Sequence, residues 1–166
     1  MVSSSRDSES KHVYLLHGFI GSGKTTFARI LAKEVVAMRL SHDEYMMLLY
    51  GTNPPEDLFR VYYDRVTEMI WKITVDLIQL NIPVILDFGF WTKESRLKAI
   101  ERVHQIGAEP HLYAMECNPA TMKDRCLKRN QLEGDTLLID EPAFDKFFKF
   151  YEPISEDEKP VFIKTD

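Results

Sequence analysis

Residues Gly18-Phe19-Ile20-Gly21-Ser22-Gly23-Lys24-Thr25 satisfy the pattern GxxxxGK[ST] at every fixed position. They stand between an apolar run, Val13 to His17, and a segment of helical spacing, Lys24 to Val35, that carries Phe27, Ile30, Leu31 and Glu34. Strand, Gly-rich turn and helix, in that order, are the context in which such a loop holds phosphate. Glycines let the backbone close around an anion, its N–H groups converge on the oxygens, and the helix N-terminus adds partial positive charge. Gly18, Gly21, Ser22 and Gly23 are therefore expected to cradle nucleotide phosphates, with Thr26 beside them. Lys24 is expected to reach the β and γ phosphates, and the Thr25 hydroxyl to bind Mg²⁺. The alternative is a Gly-rich turn of the same shape that binds nothing.

The rest of the chain alternates strands and helices. A β-rich run from Val35 to Leu40 closes at Ser41-His42-Asp43, with a helix expected from Glu44. After Asn53-Pro54-Pro55, the positions Leu58, Tyr62, Val66, Met69, Ile73, Leu77 and Leu80 mark one long helix or two, ending before Pro83. Pro83-Val84-Ile85-Leu86 is continuously apolar, as a strand buried on both faces must be, and it delivers Asp87 at its carboxyl end. Helices follow near Lys93–Gln105, Ala120–Arg129 and Pro142–Tyr151, with strands at His111–Met115 and Val161–Lys164. This alternation implies an α/β doubly wound parallel sheet with ligands at the carboxyl ends of its strands. One domain, residues 12–166, preceded by a polar, disordered tail, residues 1–11, accounts for the 166 residues.

A phosphate loop alone does not distinguish a kinase from a GTPase or a motor. The chain carries no NKxD guanine-reading motif, and 166 residues leave no room for a motor's extra helical domain. Asp87-Phe88-Gly89 looks like the DFG of protein kinases, but that fold uses a different phosphate loop and an HRD motif that this chain does not have. Four further positions point to chemistry. Asp43, after a strand near the phosphate loop, can accept the proton of an attacking hydroxyl, or it (or Ser41) simply caps the helix that follows. Asp87 has the placement of a strand-end acid that holds Mg²⁺ or orients an acceptor. Arg125 and Arg129, four apart, share a helix face and are expected to clamp phosphates, unless that face is merely solvated. His17 and the Phe144, Phe147, Phe148, Tyr151 stripe read as packing.

Composition narrows the partners. A net charge of −5 argues against wrapping long nucleic acid, which needs clustered Lys and Arg, though an oligonucleotide end is still open as a substrate. Cys117 and Cys126 are too far apart for a CxxC site and read as two reduced thiols. No run approaches the roughly 18 apolar residues of a membrane span, so a cytoplasmic protein is expected.

Taken together, GFIGSGKTT, LSHDEYM, VILDFGFW, the RCLKRN segment and FYEPISEDE resemble the small P-loop kinases grouped with phage-type polynucleotide 5′-hydroxyl kinase, zeta toxin and chloramphenicol phosphotransferase. The closest likeness is to uncharacterised bacterial kinases of that group. The resemblance implies a P-loop NTPase three-layer sandwich, with a five-stranded parallel core, helices on both faces and a small Arg-bearing lid. It also implies phosphoryl transfer from ATP to a hydroxyl of a small molecule or a nucleic-acid end. In that group Asp43 is similar to the general base, Asp87 to the strand-end acid, and Arg125 and Arg129 to the lid arginines. Polynucleotide kinases also place an arginine three residues beyond the base, to grip the acceptor's phosphate, whereas this chain has Met46. Arg60 and Arg65 are candidates for that grip, and a solvated helix face accounts for them equally well. A nucleoside or nucleotide kinase, and a nucleotide-gated binding protein without transferase activity, are the competing expectations.

Overall fold

A computed structural model describes residues 11–131 and 137–166. The apolar runs become five strands: β1 (His12–His17), β2 (Met38–Ser41), β3 (Val84–Gly89), β4 (Glu109–Glu116) and β5 (Val161–Lys164). They pair in parallel in the order β2-β3-β1-β4-β5. Parallel neighbours need crossovers, and helices supply them: α1 (Lys24–Glu34), α2 (His42–Tyr50), α3 (Glu56–Gln79), α4 (Lys93–Gln105), α5 (Pro119–Arg129) and α6 (Glu141–Phe148). The fold is the α/β P-loop sandwich that the sequence implies.

Alternation along β1 and β3 sends successive side chains to opposite faces, and both faces are buried. Val13, Leu15, Val84 and Leu86 pack under α2, α3 and α4 with Met46, Val66, Ile70, Trp71 and Val103. Tyr14, Leu16 and Ile85 pack under α1 with Ala28 and Leu31. A third cluster gathers Met122, Cys126 and Phe144 around fully buried Phe19, so the aromatic stripe of α6 is core, with Phe147, Phe148 and Tyr151 at its margin. His17 is packed too. Its Nδ1 lies 3.0 Å from the Phe90 carbonyl and its Nε2 3.0 Å from the Tyr151 hydroxyl. Burial lowers its pKa to about 4, which keeps the ring neutral at physiological pH.

Several element boundaries differ from the sequence expectation, β4 being longer and α6 ending at Phe148 rather than Tyr151. The second strand is shorter, because Val35 caps α1 and Val36 turns through a left-handed conformation, φ 51°, before the chain extends at Met38. Helix α2 starts at His42 rather than Glu44, since Ser41 supplies the N-cap and accepts from the Glu44 N–H. The long amphipathic stretch is one helix of 24 residues, Glu56–Gln79. Of the expected tail, residues 1–10 lie outside the described residues, whereas the Lys11 carbonyl accepts a hydrogen bond from the Glu109 N–H, 2.7 Å.

Arg96 of α4 has no exposed surface, and its Nε and one terminal nitrogen meet both oxygens of Glu158 at 2.6 and 2.9 Å. Its other terminal nitrogen donates to the carbonyls of Phe90, Trp91 and Glu152. These bonds hold the Glu158 carboxyl below the usual carboxylate range despite its burial. Removing one member of such a pair strands a charge without water. Glu158→Gln is therefore expected to cost about 3 kcal/mol in denaturant unfolding, the low end of the usual loss, because Glu158 lies just beneath the surface.

Candidate active site

The loop after β1 rises at the centre of the sheet and is held open by its own geometry. Gly21 and Gly23 have φ of 78° and 89°, the region that favours glycine. A Cβ on Gly21 would lie 2.2 Å from the Met122 carbonyl oxygen. Helices α2, α4, α5 and α6 begin with side-chain caps from Ser41, Thr92, Asn118 and Asp140, whereas α1 begins at Gly23 with none. Its first N–H groups are left to an outside acceptor. Among the described residues, the buried Ser22 Oγ beneath the loop and the Arg129 Nε, on the facing helix, have no hydrogen-bond partner. Lys24 folds over the loop, donating to the Phe19 carbonyl at 2.8 Å, while Thr25 and Thr26 open to solvent on the first turn of α1.

Sheet order then brings the two candidate acids to the same crevice. β3 lies between β1 and β2, with Ser41 opposite Asp87 and His17 opposite Gly89. Asp87, 5% exposed, accepts from the Thr25 hydroxyl at 3.1 Å and from Arg39 at 2.9 Å. Asp43 is not the cap of α2, because Ser41 is, and it opens onto the crevice from the first turn. Both acids are coupled electrostatically to Lys24. The protein massed around the crevice raises the pKa of Asp43, and Lys24 and Arg129 pull it back. Because Asp43 keeps a face to water, that rise is tempered while the crevice is open and grows once a substrate fills it. Burial likewise raises Asp87, against the pull of Lys24 and Arg39, and lowers Lys24.

The two lid arginines part company. Arg129 is within electrostatic reach of Lys24 and Asp43. Arg125 turns toward β5, donating to the Thr165 carbonyl at 2.6 Å and lying 3.5 Å from the Cys117 sulfur. A cavity of about 770 Å³ opens on that β4 side, bounded by His17, Cys117, Asn118, Tyr151 and Asp166. Lys24, Asp43 and Asp87 do not line it. The lid itself falls partly on residues 132–136, outside the described residues. Of the residues bearing on the acceptor grip, Met46 is core, Arg60 pairs with Asp64 on α3, and Arg65 is exposed.

A family model for an AAA domain, AAA_33, matches residues 13–154. The chain belongs to that family and has the P-loop kinase-like fold of the small-kinase group it resembles. No curated protein matches it in sequence. Among solved structures it is similar to a chain of the Pnkp1/Rnl/Hen1 RNA repair complex, at 22% identity and TM-score 0.69, covering 89% of this chain and 46% of that one. It is similar to a proposed kinase from Chloroflexus aurantiacus at 16% identity and TM-score 0.75, covering 95% and 89%. A gluconokinase from Sinorhizobium meliloti matches at 13% identity and TM-score 0.60, covering 96% and 84%. The chain thus spans less than half the length of the RNA repair chains it matches. At these identities the likeness shows the fold.

Sequence reasoning missed Arg39. In register, Arg39 lies opposite Ile85 and so shares a sheet face with Asp87 two residues on; its guanidinium joins Asp87 to Glu44, and Arg29 meets Glu44 from α1 at 3.1 Å. Burial alone would raise Glu44, but these hydrogen bonds hold it below its ordinary value. A cation in the strand beside a strand-end acid was the available signal. The loop's tolerances also make a prediction: Gly21→Ala is expected to abolish binding of a fluorescent ATP analogue, with circular dichroism checking that the fold is retained.

Proposed function

We propose that the chain transfers the γ-phosphoryl group of ATP to a hydroxyl of a small acceptor. The observation that carries this reading is the convergence of Lys24, Asp43 and Asp87 on one crevice above the phosphate loop. A pure nucleotide sensor has no use for a carboxylate of raised pKa facing the γ-phosphate side, whereas transfer to an alcohol does.

The residues fit the groups they would hold. The uncapped N-terminus of α1, the unpartnered Ser22 Oγ and the Lys24 ammonium suit a polyphosphate, and the Thr25 hydroxyl with the Asp87 carboxylate is a hard-oxygen set suited to Mg²⁺. Bound Mg·ATP supplies the phosphoryl group and part of the neutralising charge. Asp43 accepts the acceptor's hydroxyl proton as that oxygen bonds to the γ-phosphorus and the bond to the bridging oxygen of ADP breaks. Lys24 and Arg129 offset the charge on the transferred group, which is where such catalysis draws most of its rate. Arg125, bonded to the Thr165 carbonyl beyond β5, is given no role at the reacting atoms.

On the acceptor side, α2 and α3 offer aromatic surface: Tyr50 and Tyr62 stack at 3.8 Å, and Tyr63, its pKa raised to about 12 mainly by burial, is near Asp43. Arg39, the cation nearest the strand-end acid, is already matched by Asp87 and Glu44. This favours an uncharged alcohol over a phosphorylated nucleotide.

The test is transfer of labelled γ-phosphate to 5′-hydroxyl oligonucleotides, nucleosides, sugars and antibiotics. Asp43→Asn is expected to lower kcat/KM by about 10²- to 10⁴-fold while leaving ATP affinity unchanged. ATP bound tightly, with no acceptor labelled and no effect of Asp43→Asn, would instead identify a binding protein.

The pH dependence has a definite sign. Asp43 must be ionised to act, and its pKa lies above the ordinary carboxylate value, so kcat/KM is expected to fall with decreasing pH along a limb centred above that value. The folded chain holds this proton more tightly than the unfolded chain, so the ionised group costs stability at neutral pH. Asp43→Asn is therefore expected to melt no lower than the wild type in a thermal scan at pH 7.

A further inference from the structure

At the opposite end of the sheet from the crevice, three donor side chains meet. β1 and β4 pair with His12 opposite Glu109 and Tyr14 opposite His111, and the two-residue period of a strand puts all four on one face. His12 Nδ1 lies 2.8 Å from His111 Nε2 and 3.7 Å from the nearer Glu109 oxygen, and one donor atom from each residue lies within 4.8 Å of the other two. We propose that His12, Glu109 and His111 form a site for one divalent transition-metal ion of the zinc, cobalt or nickel kind.

The donor set is selective in kind. Two imidazole nitrogens and one carboxylate oxygen suit borderline ions, and hard Mg²⁺ or Ca²⁺ is bound mainly by oxygen. Bonds of about 2.0–2.1 Å from a metal to each nitrogen bring two nitrogens to roughly 3 Å of each other, close to the separation already present. The two rings now face each other through one hydrogen. When the ion enters, that hydrogen moves to the other nitrogen of its own ring, leaving both facing nitrogens as donors. The His111 ring is held in place by Tyr14, stacked on it at 5.0 Å and 24°. The three residues come from two strands joined by backbone pairing, so the set is positioned before any ion arrives.

An ion there would tie the start of the phosphate-loop strand to β4 and stabilise the folded chain, since it binds a set that exists only when the two strands are paired. It belongs to neither the nucleotide crevice nor the β4-side cavity. The proposal is therefore independent of the phosphotransfer reading.

The experiment uses the tag-free chain, stripped with EDTA and titrated calorimetrically with Zn²⁺, Co²⁺ and Ni²⁺. Saturable binding of one ion is expected, with a higher melting temperature in its presence. His111→Ala and His12→Gln are each expected to weaken binding by more than the roughly tenfold that even an outer-shell change costs, and Glu109→Gln provides a milder third variant. Unchanged binding of a fluorescent ATP analogue shows that the variants are folded. Failure to saturate at one ion, or wild-type affinity in all three variants, as binding at Cys117 or His104 would give, overturns the proposal.

Discussion

The buried contact between Arg96 and Glu158 is the constraint on which the rest of the active end depends. A guanidinium without exposed surface must satisfy its donors inside the protein. It does so by drawing together the exit of β3, the start of α4 and the chain from Glu152 to Glu158. His17 at the end of β1 lies against the same guanidinium and stacks on Tyr151. The strand that carries Asp87 and the strand that carries the phosphate loop are thereby pinned to one point below the crevice. Their acid and lysine can be held at close quarters although neither gains stability from burial.

That crevice is electrostatically unfinished. Burial penalises Lys24, Asp43 and Asp87 alike, and each is only partly offset by the others. Arg39 is better matched, shared between Asp87 and Glu44 in a chain that continues to Arg29. The contrast separates two kinds of charge. Pairs away from the crevice are closed, whereas beside the loop the Lys24 ammonium and the Arg129 guanidinium, whose Nε has no partner among the described residues, are cations that a polyphosphate would complement.

The fold was legible because its signals are local. The phosphate loop is contiguous, the strands are runs of four to eight residues, and Gly and Pro mark most of the breaks. Where local signals conflicted, the boundary moved: Val35 and Val36 have strand-forming side chains, but they finish a helix and turn the chain. Asp87 was legible as a strand-end acid and Asp43 as an acid just after a strand. Arg96 was not, because Glu158 lies 62 residues away and nothing in a helix pattern announces a distant carboxylate. Arg39 was not, because its signal, a cation in the strand beside a strand-end acid, is readable only once β2 and β3 are known to pair, with Asp87 48 residues on. Arg125 and Arg129 show the opposite limit: their spacing placed them on one face, but depth along α5 decides that one looks to the crevice and the other to β5.

The phosphate loop is written early in the chain and braced late. The Thr165 hydroxyl donates to the Ser22 carbonyl at 2.8 Å, and Thr165 also accepts from Arg125, so residues just beyond β5 seal a loop encoded about 140 positions before them. Contacts so distant in sequence form slowly and only after intervening elements have docked. During synthesis the loop sequence therefore emerges long before the surface that stiffens it, and the early chain holds the motif without its support. Nucleotide, which stabilises only what can bind it, favours the completed domain over every shorter intermediate.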